Sequence, residues 1–218
     1  MPLDLDSDRR LALAYVPAAA RPALEALWLL DVTFASVLAT GTDRMISRIR
    51  LAWWRESLEK LDREAAPLEP LLQSLSAHVL PAGVTGAELA AMEEGWAVLL
   101  SGAAPTGAEL SAFARVRGGG LFRLSARLLG DSDFPVERAG MLWALADLAR
   151  HSAEPDEAEA AFSIARPQAQ VNWPRPLRPL GMLAVLARRD FERRPLSWER
   201  QGSPARMLRM IRHRLTGT

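Results

Sequence analysis

Residues 48–61, RIRLAWWRESLEKL, restrict the possible folds more than any other stretch of this chain. Successive helical residues point about 100° apart, so the adjacent indoles of Trp53 and Trp54 cannot serve a single neighbour. Leu51, Trp54, Leu58 and Leu61 form one stripe at helical spacing, and Met45, Ile49 and Trp53 form a second beside it. A helix with so wide an apolar face is wedged between several partners. The expectation is a helix central to an all-helical core, with both indoles buried against different neighbours. The exposed strip is expected to carry Arg55/Glu59, Glu56/Lys60 and Glu59/Arg63 pairs.

The rest of the chain is punctuated for helices and offers no defensible strand. Pro22, at a first-turn position, opens a helix to about Thr40, and Gly41-Thr42-Asp43 breaks it and caps the double-tryptophan helix. Pro67 and Pro70 begin a helix to about Val79. The pentapeptide TGAEL occurs at 85–89 and again at 106–110, each a T-x-x-E capping box that marks a helix start. Gly118-Gly119-Gly120 lacks the Gly-Lys-Ser/Thr of a phosphate loop, and is read as a helix break or a close approach of two backbones. Asp133 with Pro135 starts a helix to about His151, and SAEPDEAEAAF caps the next. Four prolines at 167, 174, 176 and 179 predict an extended segment. LGMLAVLARRDFERR is then helical, and Ser203-Pro204 opens the last helix, for about nine in all.

Composition narrows the chemistry. With 218 residues, 49% of them hydrophobic, one core and one domain are expected. The absence of cysteine excludes disulfides, thiolate metal sites and cysteine nucleophiles. The three histidines, His78, His151 and His213, show no metal-ligand spacing, so no metal is expected. The acidic start MPLDLDSD and the lack of an apolar run near the roughly 18 residues of a membrane span predict a cytoplasmic protein.

The net charge of +1 conceals a polarity: residues 175–218 hold eleven arginines against Asp190, Glu192 and Glu199. This basic end faces an anionic partner or pairs with the acidic body of its own chain. In the last helix Met207, Leu208, Ile211 and Leu215 make a narrow apolar stripe flanked by Arg206, Arg209, Arg212 and Arg214. That is the pattern of a basic amphipathic helix docking on an anionic membrane or an acidic protein. Nucleic acid is not an expected partner. The chain is accordingly divided into a helical domain, 1–202, and a basic amphipathic C-terminal helix, 203–218.

The segment YVPAAARPALEALWLLDVTFASVLAT followed by RIRLAWWRESL resembles the squalene/phytoene synthase family, prenyltransferases of the isoprenoid-synthase fold. The match rests on Pro17, Arg21, Ala23, Ala26, Leu27 and Trp28, then on Arg50, Leu51, Trp53, Trp54 and Arg55. RGGGLFRLSARLLG and RAGMLWALADLAR add weaker likeness, so that it spans most of residues 8–155. The resemblance implies an all-α, single-domain bundle of the isoprenoid-synthase type.

The family's chemistry uses D-D-x-x-D and D-x-x-x-D motifs on facing helices, whose carboxylates hold Mg²⁺ against a prenyl diphosphate. The first motif falls here on Ala35, Ser36 and Ala39, and the second on His151 and Pro155, with no acid left. Asp31 and Asp147 each sit one turn before a lost motif and are the remaining carboxylates able to face one cavity. Tyr15, Arg21, Arg50 and Trp54 complete the candidate cavity residues, although Arg21 can equally pair with Glu25. The acids Glu154, Asp156, Glu157 and Glu159 read as solvated helix-start groups.

The resulting expectation is a catalytically silent relative without a cofactor, peripheral to an inner membrane and able to hold a lipid or prenyl chain. A mitochondrial relative with degenerate motifs assists assembly of a respiratory complex, an analogy for an accessory role. The alternative is an active prenyl diphosphate transferase with atypical Mg²⁺ ligands.

Overall fold

The computed structural model describes residues 4–41, 43–100, 104–152, 155–165, 171–193 and 198–218. They form α1 (Ser7–Ala14), α2 (Arg21–Thr40), α3 (Arg44–Lys60), α4 (Pro70–Ser74), α5 (Gly86–Ala90), α6 (Met92–Ala97), α7 (Gly107–Phe113), α8 (Gly120–Leu128), α9 (Glu137–His151), α10 (Pro155–Ile164), α11 (Arg178–Arg193) and α12 (Pro204–Thr216). Wider π turns extend α4 through Leu75–Val79 and join α7 to α8 through Ala114–Gly119. No strand occurs among the described residues.

Capping chemistry sets several of these boundaries. Thr85 and Thr106 each accept from the backbone N–H three residues on, while Glu88 and Glu109 accept from the cap residue's own N–H, so both TGAEL copies are closed capping boxes. Ser203 caps α12, and Asp43 caps α3 by accepting from the Met45 N–H at 2.7 Å. Asp133 does not cap α9. Asp131 instead accepts from the Asp133 and Phe134 N–H groups in the preceding loop. Of the proline-rich segment, Pro167 lies outside the described residues and 171–174 has no helix; Pro176 fits a 3₁₀ turn and Pro179 sits in the first turn of α11, where no amide donor is needed.

The central helix is α2, not the double-tryptophan helix. Leu24, Leu27, Leu30 and Phe34 of α2 are fully buried, and it packs on α1, α3, α4, α6 and α8. The Trp28 indole N–H donates to the Ser125 hydroxyl at 3.1 Å, tying α2 to α8. By length and composition α2 could also cross a membrane, but here more than half of it is buried as a core helix with Asp31 at its middle.

On α3 only Ser47, Leu51 and Leu58 are buried, with Trp54 half-buried against the edge of Phe34 at 6.5 Å. The second stripe faces outward: Met45 is 70%, Ile49 63% and Trp53 48% exposed, and Ile46 joins them. Trp53 therefore does not pack on a second helix. It leans on Trp54 itself, ring to ring at 5.2 Å. The expected Arg55/Glu59, Glu56/Lys60 and Glu59/Arg63 pairs do not form among the described residues. Arg48 instead donates to the Leu100 carbonyl at 3.0 Å.

Candidate functional site

Where α1, α2, α9 and the π turn before α8 meet, two carboxylates and two guanidiniums close on one another. Asp31 projects from the middle of α2 and is wholly buried; Arg117, in the π turn, is 1% exposed. Arg117 donates through Nε to Asp31 Oδ1 at 2.9 Å and through Nη2 to Asp31 Oδ2 at 3.0 Å, a bidentate grip. The same Nη2 reaches Asp147 Oδ2 of α9 at 2.5 Å. Arg9 of α1 donates to Asp31 Oδ2 at 3.0 Å and lies 4.0 Å from Asp147. The Trp96 indole N–H completes the shell, donating to Asp31 Oδ1 at 3.2 Å.

Aromatic faces enclose the charges. The Arg117 guanidinium lies 4.1 Å from the Trp96 ring centroid and 4.9 Å from that of Trp143, and Arg9 lies 4.8 Å from Trp143. Cation–π attraction recovers part of the cost of drying these groups. Burial acts most strongly on Arg117 and disfavours its charge, but Asp31 and Asp147 outweigh it and hold its pKa above the usual arginine value. For Asp147 burial again opposes ionisation, and Arg117, His151 and Arg9 together overcome it, so the carboxyl stays ionised far below its ordinary range. The cluster is two positive and two negative charges, mutually neutralised.

This donor set does not fit Mg²⁺. The ion needs near-octahedral oxygen ligation at about 2.0–2.1 Å and keeps several waters. Asp31 has both oxygens committed to three N–H donors of two arginines and to an indole, and a guanidinium stands between the two carboxylates. Among the described residues no group of three or more His, Asp or Glu side chains could hold a metal. Of the acids at the start of α10, Glu154 lies outside the described residues, Asp156 is exposed and Glu157 accepts from the Ser152 hydroxyl.

The other candidate residues take no part in this network. Tyr15 is partly exposed beneath the Arg214 guanidinium, 5.7 Å from its ring centroid. Arg21 donates to the carbonyls of Val16 (3.0 Å) and Ala14 (3.4 Å), tying down the turn before α2 rather than pairing with Glu25. Arg50 is exposed on α3. At the positions expected for the family's motifs, Ala35 is half-buried, Ser36 donates to the Thr33 carbonyl at 2.7 Å, Ala39 is exposed, and Pro155 opens α10 with its side chain outside the described residues. His151 Nδ1 lies 2.8 Å from the Asp147 carbonyl oxygen and 3.4 Å from its Oδ1, and this contact raises the His151 pKa above its usual 6.5.

The basic end divides its arginines between two fates. Arg206, buried, donates to Asp8 at 2.9 Å and to Asp190 at 2.8 and 3.0 Å; Arg150 shares Asp190 at 2.9 Å, and Arg189 grips Glu199. These pairs strap α12 and α11 to α1 and α9. Met210 and His213 are buried on the same face of α12, while Leu208 (70%) and Leu215 (73%) face outward with Met207. Arg138, Arg209 and Arg212 form no ion pair among the described residues.

The squalene/phytoene synthase family model matches residues 4–190, and the chain belongs to that family. The all-α architecture agrees with its isoprenoid-synthase fold. No curated protein and no solved structure matches the chain.

Proposed function

We propose that this protein is a catalytically silent member of the squalene/phytoene synthase family that serves as an accessory factor on the cytoplasmic face of an inner membrane. One observation carries the reading: Arg117 occupies the space between Asp31 and Asp147, the carboxylates left nearest the two lost motifs. Ionising an allylic diphosphate requires its departing charge to be neutralised, which the family achieves with metal ions held by acids on two helices. Here those helices present a largely buried cluster of paired charges instead. An active transferase using Asp31 and Asp147 as metal ligands requires both arginines to withdraw, stranding two charges in an aromatic cage.

The accessory role draws support from the surface. Met207, Leu208 and Leu215 on α12, and Met45, Ile46, Ile49 and Trp53 on α3, form outward apolar stripes with arginines at their flanks, a pattern suited to the headgroup layer of an anionic bilayer. The test is incubation of purified protein with radiolabelled farnesyl or geranylgeranyl diphosphate, Mg²⁺ and reductant. The expected result is no condensation product. Turnover that EDTA abolishes refutes catalytic silence.

A further inference from the structure

A cavity of about 440 Å³ opens between α9, α11, α12 and the extended segment at 171–174, and shares no residue with the Asp31–Asp147 cluster. Its floor is apolar: Leu142 of α9, Trp173 and Ala184 of α11. Its mouth is basic, with Arg138, Arg209 and Arg212 all free of ion pairs among the described residues. The acidic side chain there, Glu192, is held by Arg188 at 2.7 Å, and Thr218 also lines the cavity. Partial desolvation, then the nearby guanidiniums of Arg189 and Arg193, hold the Arg209 pKa below the usual arginine value, so positive charge is locally in excess.

A second observation points into the same space. His213 lines the cavity at 3% exposure; neither ring nitrogen reaches solvent, and the Thr218 backbone is the hydrogen-bonding group that acts on the ring. Position 181 accommodates the ring because it is glycine: a Cβ there would stand 2.1 Å from His213 Nε2. As part of the cavity wall, this ring senses what fills the space.

We propose that this cavity binds a phosphate group carried on an apolar chain, with the phosphate at Arg138, Arg209 and Arg212 and the chain along Leu142, Trp173 and Ala184. Guanidiniums match phosphate oxygens in paired hydrogen bonds. An inorganic anion leaves the apolar floor wet, and an uncharged chain leaves three arginines uncompensated. This assignment is independent of catalytic silence, and its failure leaves the reading of the central cluster untouched.

Calorimetry with monomeric dodecyl phosphate tests it, beside dodecyl maltoside and inorganic phosphate at equal concentration. Saturable binding of the phosphate ester alone is expected. It should weaken about tenfold or more in the Arg209→Ala/Arg212→Ala double variant, whose exposed side chains the fold does not use, because charge-assisted hydrogen bonds are lost. The His213 imidazole proton resonance, identified by its absence in His213→Gln, should move on titration while that of His78 stays. Equal binding of the maltoside, equal binding of inorganic phosphate, an unmoved His213 resonance or undiminished binding by the double variant overturns the proposal.

Phosphatidylcholine vesicles with and without phosphatidic acid separate the sources. Displacement of the protein from phosphatidic acid vesicles by dodecyl phosphate assigns the ligand to the bilayer. Persistence on the vesicles with the ester bound assigns it to a soluble ester, and both support the site. Binding to vesicles without any binding of the monomeric ester overturns it.

Discussion

Gly118 and Gly140 touch backbone to backbone: a Cβ on either would stand 2.1 Å from the other's carbonyl oxygen. This contact sets the π turn directly on α9, and so delivers the neighbouring Arg117 to Asp147. Gly118→Ala and Gly140→Ala are each expected to destabilise by about 2–3 kcal/mol or more, because backbone must move to admit a methyl group. Gly120→Ala has open space and gains helix propensity, so a change between zero and about 1 kcal/mol in the stabilising direction is expected. Urea denaturation of the three variants measures the contrast.

Arg117→Met removes the group that neutralises two buried carboxylates and is expected to cost about 3–5 kcal/mol. Adding Asp147→Leu should recover part of that loss, since the remaining Arg9–Asp31 pair is again neutral. A double-mutant cycle reports the coupling; simple additivity of the two losses contradicts a shared charge cluster.

The two neighbouring indoles should behave differently. Trp54→Ala, which empties a half-buried site against Phe34, is expected to cost about 2–3 kcal/mol, less than a fully buried ring. Trp53→Ala should cost below about 1 kcal/mol in denaturation, yet reduce flotation with acidic liposomes. Equal losses of stability for the two contradict the outward placement of the second stripe.

Two histidines couple stability to pH with opposite signs. The His151 pKa is raised in the fold, by its Asp147 contact, so its contribution is complete below about 6.5 and is lost as pH rises through the folded value. His151→Gln should therefore destabilise at mildly acidic pH and have little effect in alkali. His213 is pushed down to about 4, chiefly by burial, so it weakens the fold as pH falls from 6.5 toward 4 and the unfolded chain takes up the proton. At the acid end this amounts to roughly 3 kcal/mol. Denaturation midpoints across pH, for the parent and each single variant, separate the two contributions.

Much of this was legible in the residues. The helix starts follow from local chemistry, the capping boxes at Thr85 and Thr106 above all, which need no tertiary information. Asp31 and Asp147, singled out as the acids one turn before the expected motif positions, both contact Arg117. Arg117 was not anticipated, although a signal exists: it falls four residues after Phe113 and four before Leu121, in the buried stripe of its helix, where an arginine must find acids. The direction of the α3 stripes was not legible, because periodicity reports that Met45, Ile49 and Trp53 share a face and not whether that face meets core or solvent. The basic end held both of its alternatives at once, Arg206 pairing inward and Arg209 and Arg212 remaining unpaired.

The central claim is that guanidinium groups hold the ground on which the family holds metal. Calorimetric titration of Mg²⁺ into the intact protein, with and without inorganic diphosphate, tests it most directly. The account predicts no heat beyond that of Mg²⁺ with diphosphate in protein-free buffer. Saturable binding of Mg²⁺ to the protein that Asp147→Asn abolishes, with the variant still folded by circular dichroism, would contradict it.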